Sequence, residues 1–327
     1  MRSKCILLIG IVSALFVTQG WAVPANFPAK PIQLWVGFPP GGPNDMETRA
    51  LCYGASKALG KPIIVSNKPG GGGLLALELL KLEEPDGYTL ANITDTPLTR
   101  TPHMMKVKFD ALKDFTFLIR TTVERSTLVV QSDSPFKKFQ DMIDFARKNP
   151  GKLTIGVSGY GTSRHIALEQ IAKMENVKFQ YVFFTGASPV LIALLGGHIM
   201  VGNMGPTAWL PHFKAGAVKP LLRWEAEPMP GVADLPSQGE LYKFPAPPSN
   251  AHLIIAPKGI PKPIADKLLA ALIAGTKTPQ YTALAEQLSF IKNKMLSGNE
   301  LNQWVEANYN LYGKLIGDLG IKAAPEK

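Results

Sequence analysis

The chain has 327 residues, of which 46% are hydrophobic and 18% charged, and its formal net charge is +10. That length suggests about two domains, with enough chain for a core in each, and the apolar content excludes a mainly disordered protein. The 30 Gly show no period of three and the 28 Pro forbid long helices, which excludes collagen and coiled coil.

The N-terminus reads as a signal peptide. Arg2 and Lys4 precede an apolar run from Cys5 to Val17, and small residues follow at Gly20 and Ala22. The run is short for a bilayer span of about 20 residues, and cleavage after Ala22, or after Ala25, fits the small-x-small rule. The other reading is an uncleaved N-terminal anchor. No Leu-x-x-Cys ending marks a lipoprotein. Cleavage makes residues 1–22 the leader, directs the chain to the periplasm and leaves Cys52 as its one cysteine. No intramolecular disulfide or cysteine metal cluster is then possible. Cys52, beside Leu51 in a helical pattern, reads as a small buried hydrophobe.

The mature chain alternates short apolar runs with longer segments of 3.6 period. Residues 32–38 read as a strand stopped by Pro39-Pro40-Gly41-Gly42, and Asn44 or Asp45 is placed to cap a helix to about Leu59. A strand over 63–66, a loop over 67–73, a helix over 74–82, a turn at Pro85-Asp86-Gly87 and a strand over 88–93 follow. This β-α-β-α-β order predicts a parallel sheet covered by helices. Strands over 115–123 and 127–131 are candidates for a crossing between domains. A second α/β series then runs through helix 139–148, strand 153–157, a Gly-rich loop 158–162, helix 163–174, strand 179–184, helix 189–195, strand 199–204, helix 207–215 and strand 219–223. Residues 225–250 carry six Pro and read as a surface excursion before the return. A strand over 252–256 and helices from Pro263, Pro279 and Ser297 complete the chain. The expected division is one domain from 23–124 with 251–327, and a second from 125–250.

Ligands of open α/β sheets bind outside the carboxyl ends of strands, so the strand-to-helix turns are the candidate site. Three are Gly-rich: Pro39 to Asp45, Asn67 to Gly73 and Ser158 to Ser163. Glycine lets main-chain N–H groups approach a ligand, and a helix N-terminus adds about half a positive charge. Together they bind carboxylate or phosphate without a cationic side chain. Plain turn chemistry is the competing reading for any one loop. The positive charge favours anionic partners, but the bases are scattered, with Lys137-Lys138 and Arg147-Lys148 as pairs, so nucleic acid is not expected.

Searches for catalysis are negative. There is no P-loop, no His-Glu-x-x-His and no nucleophile elbow, and no two of the five His stand three or four residues apart. Neither metal nor cofactor is expected. His165 either lines a pocket or buttresses the loop before it; His198 and His212 read as structural. Asp45 is a helix cap or an acceptor for a ligand amine or water. Asp95 needs a cationic or hydroxyl partner, with Arg100, Arg120 and Arg125 as candidates. A hydrolase using Ser163 and His165, and an interaction protein with a vestigial cleft, are the alternatives to a binding receptor.

Several motifs in order complete the reading. They are Pro40-Gly41-Gly42-x-x-Asp45 with Arg49, Asn67-Lys68-Pro69-Gly70-Gly71-Gly72, Pro85-Asp86-Gly87-Tyr88-Thr89-Leu90, Lys113-Asp114-Phe115, Asn149-Pro150-Gly151-Lys152-Leu153 and Gly159-x-Gly161-Thr162-Ser163-x-His165. Leu194-Leu195-Gly196-Gly197-His198, His212-Phe213-Lys214-Ala215-Gly216 and Ala256-Pro257-x-Gly259-x-Pro261 follow. In this order and spacing the chain resembles the Bug family, the extracytoplasmic receptors of tripartite tricarboxylate transporters. The resemblance implies a type II periplasmic-binding-protein fold, two α/β domains around a cleft with two crossing strands, acting as a monomer. It implies a small organic anion, a carboxylate, gripped by main-chain N–H groups of Gly41 to Asp45 and Gly159 to Ser163. The ligand is then passed to membrane permease subunits or a sensor. The implied ligand-lining residues are Phe38, Gly41, Gly42, Pro43, Asn44, Asp45, Thr94, Asp95, Gly159, Tyr160, Gly161, Thr162, Ser163, Phe184, Thr185, Gly186 and Asn203. Four positions depart from the family pattern: Pro43 removes one N–H donor, Phe184-Thr185-Gly186 replaces Tyr-Lys-Gly, a Trp is absent around Ser249-Asn250, and Asp95 is acidic.

Overall fold

The structure, a computed structural model, describes residues 26–229, 231–232, 234–243, 250–291 and 295–322. The expected leader and Ser249 lie outside them. The strands are β1 Ile32–Val36, β2 Ile63–Asn67, β3 Thr89–Thr94, β4 Phe115–Val123, β5 Thr127–Gln131, β6 Leu153–Ser158, β7 Phe179–Phe184, β8 Val201–Met204, β9 Val218–Arg223, β10 Ala251–Pro257 and β11 Leu296–Ser297. The helices are α1 Pro43–Leu59, α2 Leu74–Leu80, α3 Thr96–Thr99, α4 Thr101–Met104, α5 Phe139–Lys148, α6 Ser163–Met174, α7 Ala187–Leu195, α8 Pro206–Lys214, α9 Gln238–Leu241, α10 Lys262–Thr276, α11 Pro279–Gln287 and α12 Gly298–Leu319. Among the described residues no helix is long and apolar enough to cross a membrane.

Two sheets form, one in the order β11-β4-β10-β3-β1-β2 and the other β7-β6-β8-β5-β9. The expected parallel pairing holds for β1 with β2 and β3, and for β6 with β7 and β8. It fails elsewhere: β10 lies antiparallel between β3 and β4, and β5 antiparallel between β8 and β9. The reason is topological. Helical crossovers force successive strands to run parallel. A strand that enters a sheet straight from the other domain carries no such crossover, so β5 and β10 run the opposite way.

Alternation along β1 divides the first core. Ile32, Leu34 and Val36 face α1 and α10, while Trp35 faces the α2 and α12 side. The second sheet is likewise covered on both faces, by α5 and α6 on one and α7 and α8 on the other. Cys52 is buried against α1's own core and burial pushes its thiol up to about 12.

Two short segments join the sheets. The chain leaves β4 through Glu124–Ser126 into β5 and returns through Asn250 into β10. The segments are bonded side by side, Glu124 N–H donating to Asn250 O at 2.7 Å. Away from this crossing α12 also touches both halves: Tyr312, Leu315 and Ile316 pack on Ile166 of α6, and Lys173 Nζ donates to Asp318 O at 3.0 Å.

Helices α1 and α10 cross at glycines. A Cβ on Gly275 would lie 2.5 Å from Leu51 O, and one on Gly54 would lie 2.8 Å from Gly275 Cα. The obstacle is backbone, which cannot swing aside. Gly275→Ala is therefore expected to destabilise by about 1–3 kcal/mol, the usual cost of overpacking. Urea midpoints of the two proteins measure it, and an unchanged midpoint would remove this close approach as a constraint on the first domain.

Candidate functional site

The first loop is built by Asp45. Gly42, not Asn44 or Asp45, is the N-cap of α1, and Pro43 is its first residue. Proline is suited there, since the first N–H of a helix has no internal acceptor; this corrects the expected cap. Gly41 has φ +79°, so only glycine turns the chain without strain. Asp45 then folds back from the first turn. Its carboxylate accepts from Gly41 N at 2.9 Å, Arg49 Nε at 3.0 Å and Asn67 Nδ2 at 2.9 Å. Asn67 Nδ2 also donates to Phe38 O at 3.0 Å, tying the second Gly-rich loop to the first. Burial works against the charge of Asp45, but Arg49, the Gly41 N–H and Asn67 outweigh it and hold the carboxyl below the usual range. Asn44 joins a buried ring: its Nδ2 donates to Asn92 Oδ1 at 3.1 Å, Asn92 Nδ2 to Thr48 Oγ1 at 2.8 Å, and Thr48 Oγ1 to Asn44 O at 2.6 Å. The side chains of this turn are thus spent on the protein, while the first-turn main-chain N–H groups keep no helical acceptor.

Asp95, at the end of β3, lies inside the wall. Its Oδ2 meets Arg100 at 2.9 Å with both side chains buried, and its Oδ1 accepts Ala251 N–H at 3.2 Å. Arg100 also donates to Thr96 Oγ1 and to Tyr312 OH, each at 3.1 Å, and its guanidinium lies over the Tyr312 ring. Of the three candidate partners Arg100 makes the ion pair, and the charge of Asp95 also acts on Arg120. Arg120 stacks on Trp304 at 4.6 Å, and Arg125 donates to Glu227 O at 2.8 Å. Thr94 pairs in register with His252 across β3 and β10.

The second domain supplies the loop between β6 and α6. Gly159 and Gly161 have φ +111° and +67°. Gly159 N donates to Val157 O at 3.0 Å, Thr162 Oγ1 donates to Gly159 O at 3.0 Å, and Gly161 N donates to His165 Nδ1 at 3.3 Å. His165 is buried among the rings of Tyr160, Tyr181 and Phe183, 4.8 to 5.1 Å between centroids. It buttresses the loop. Tyr160 OH donates to Lys322 O at 2.6 Å beyond α12, and Met104 of α4 rests against Gly161. Ser163 Oγ donates to Asn250 Oδ1 at 3.2 Å, so Ser163 and His165 engage different partners and make no nucleophile–base pair. Asn203 Nδ2 donates to Arg164 O at 3.3 Å and its Oδ1 accepts Trp224 Nε1 at 2.9 Å. Phe184 ends β7 with its ring packed toward Gly156, and Thr185 leads to Gly186, the N-cap of α7.

A set of residues that sequence reading missed joins these loops. Glu47 Oε2 lies 2.5 Å from His252 Nδ1, His252 Nε2 lies 3.1 Å from Glu124 Oε1, and Glu124 Oε2 accepts Arg164 NH2 at 2.7 Å. Burial opposes the charge of His252, but Glu47 and Glu124 outweigh it and push the imidazole up to about 10. Burial likewise opposes ionisation of Glu124, yet His252 and Arg164 bring it down to about 2. These partners are up to 205 residues apart in sequence, and no local pattern marks them. Among the described residues no group of His, Cys, Asp or Glu could hold a metal ion.

Two α/β halves joined by paired crossing segments, with a Gly-rich loop and helix N-terminus from each half beside the crossing, define a solute-binding receptor of the periplasmic-binding-protein type. The chain belongs to the tripartite tricarboxylate transporter receptor family, whose model matches residues 48–321. It is similar to "UPF0065 protein in gbd 5'region" of Cupriavidus necator, 36% identical over 86% of each chain. It is also similar to BugT of Bordetella pertussis, 26% identical over 77% of this chain and 79% of that one. Among solved structures it resembles R. palustris Rpa4515 with adipate, with a TM-score of 0.79, 25% identity and coverage of 90% of this chain and 99% of the other. The protein is a receptor and not an enzyme.

Two predictions follow from the charged groups. Arg100→Leu leaves Asp95 buried without its cation and is expected to cost about 3–5 kcal/mol in urea denaturation; a loss below 1 kcal/mol would show the pair to be dispensable. The second concerns pH. A histidine whose folded pKa is raised stabilises fully below its unfolded value and loses that contribution as pH rises through the folded one. Stability is therefore expected to fall between about 6.5 and about 10 on account of His252. Buried Glu225, pushed up from 4.5 to about 8, adds in the same direction at lower pH. Denaturation midpoints across pH 6 to 10 should fall in the wild type and flatten at the upper end in His252→Gln. A parallel slope in both proteins would contradict the assignment.

Proposed function

We propose that the protein captures a small organic dianion, a dicarboxylate, between the domains 23–124 with 251–327 and 125–250. In this reading it is exported to the periplasm after cleavage near Ala22 and delivers its ligand to the permease of a tripartite transporter or to a sensor. One observation carries the reading. The N-termini of α1 and α6 both open beside the crossing, while the carboxylates nearby, Asp45, Asp95 and Glu124, are each paired with a cation of the protein. The anion-binding potential there is left to main-chain N–H groups. The adipate-bound relative supports a ligand with a carboxylate at each end.

The contacts fall to main-chain groups of Gly42, Asn44, Tyr160, Thr162, Ser163, Thr185 and Gly186, with Phe38 and Phe184 as apolar walls. Asp45, Asp95 and Asn203 hold the walls in place. Pro43 removes a donor from the first position of α1, and Gly161 gives its own to His165. Closure about the crossing buries the ligand, and binding shifts the open–closed population toward the form a permease or sensor reads.

The test is thermal shift and calorimetry with adipate, tricarballylate and the monocarboxylate hexanoate. At 100 times Kd a ligand adds about 2.7 kcal/mol, expected to raise Tm by roughly 5 °C. Adipate should do so, hexanoate should not, and the scattering radius should contract with adipate alone. Gly42 has φ −75°, and a Cβ there would make only an ordinary contact with Pro39 O at 3.6 Å, so Gly42→Trp is compatible with the backbone and fills the mouth of the first loop. It should abolish the shift at unchanged basal Tm. A flat response to every di- and tricarboxylate would refute the reading.

A further inference from the structure

Arg164 is the second residue of α6, in the turn that presents N–H groups to the cleft, yet its side chain turns away to the crossing. All three of its nitrogen positions are engaged, each by a different group. Nε donates to Ser126 Oγ, NH1 to Ser158 Oγ at 3.2 Å and NH2 to Glu124 Oε2 at 2.7 Å. Ser126 and Glu124 belong to the first crossing segment, and Ser158 ends β6. The residue before it makes a second tie: Ser163 Oγ bonds Asn250 on the other crossing segment, and Asn250 Nδ2 donates to Glu124 Oε2 at 3.3 Å.

Glu124 is not the end of the line. Beyond it stand His252 on β10 and then Glu47, the fifth residue of α1, whose Oε1 accepts Tyr281 OH at 2.7 Å. The charges alternate from Glu47 through His252 and Glu124 to Arg164, so they sum to zero. Such a chain offers an anion no net attraction. What it does is connect the N-terminal ends of α1 and α6 through the crossing. A planar fork with fixed donor directions serves this end, where a single ammonium would not.

We infer that Arg164 is a positioning residue for ligand capture: it fixes the first turn of α6 to the crossing as the last member of a chain of alternating charge, buried except at half-buried Glu124, running from Glu47. The ligand arm of its test rests on the reading above; the first arm does not.

The first arm is amide hydrogen exchange of the ligand-free protein. Gly161 N–H and Ile166 N–H are hydrogen bonded within the loop and first turn, and they report on its order. Arg164→Met should speed exchange in peptides covering 158–168 by tenfold or more, with peptides of β10 and α10 within twofold of wild type. Arg164→Lys, which keeps the charge and loses the fork, should give an intermediate rise, and it takes the place of Arg164→Met should that variant not fold. Glu124→Gln should raise exchange in the same peptides, and the double variant should exceed the stronger single by no more than twofold. That non-additivity is the mark of groups acting through one chain, which a merely global loss of stability would not produce. Wild-type exchange over 158–168 in Arg164→Lys, or additive effects in the double variant, would overturn the inference. The second arm is adipate affinity, expected to fall at least tenfold in Arg164→Lys. Wild-type protein that does not bind adipate would count against the dicarboxylate reading alone, since the exchange arm stands without it.

Discussion

The structure depends on one contact of main chain with main chain: Glu124 N–H on Asn250 O, where the chain passes from the first sheet to the second and where it comes back. Because the passage is made twice, each sheet receives one strand from outside. These are β5 and β10, the strands that run against the parallel grain. Because the two passages lie side by side, every loop at the carboxyl end of a parallel strand is held at a set distance from its counterpart. Side chains of the crossing then reach outward, Glu124 to α6 and β10, and Asn250 to α6.

Charge near the loops is arranged to cancel. Asp45 has Arg49, Asp95 has Arg100, and Glu124 has His252 and Arg164. A bare carboxylate in any of these places would repel an anion, and a bare guanidinium would hold one too tightly and without regard to shape. Paired, they serve as braces: Asp45 closes the first loop onto the second, and Asp95 fixes the entry of β10 beneath α12. Where both partners are buried, as with Asp95 and Arg100, removing one is costly and the brace keeps its geometry. Asp45 is held instead by half-exposed Arg49 together with Gly41 N–H and Asn67. What remains to attract an anion is the dipole of the helix N-termini, whose direction the backbone sets.

Much of this was legible in the sequence. The bounds of β4, β5, α5, α6 and β7 follow from hydrophobic period and flanking turn residues, because each is a regular element with its own core face. The Gly-rich loops were legible because positive φ demands glycine, at Gly41, Gly159 and Gly161 alike. The short helices α3 and α4 were not: each spans four residues and opens with a Thr-Pro step that reads equally as a turn. Nor was the cap of α1, where Asn44 and Asp45 look like caps but a proline at the first position moves the boundary back to Gly42. The chain from Glu47 to Arg164 is a tertiary object. Its members lie on α1, β10, the crossing and α6, and only the crossing brings them together.

The departures from the family pattern acquire physical meaning in this setting. Asp95 is acidic because it is a brace, and its partner Arg100 lies five residues on, within the same short helical turn. Pro43 stands at the one helical position where a missing N–H leaves no hydrogen bond unmade, so it narrows the donor set of the first loop without weakening α1. Phe184 keeps the ring of the family's Tyr without its hydroxyl, and that ring packs back toward Gly156 and the α7 side of the sheet. Pro43 and Phe184 each remove a polar group, and the carboxylate that Asp95 adds is taken up by Arg100. In the proposed reading, such a cleft would grip the ends of a ligand through the N-termini of α1 and α6, with Phe184 as an apolar wall. That is the shape of recognition suited to two carboxylates separated by methylenes rather than to a ligand hydroxylated along its length.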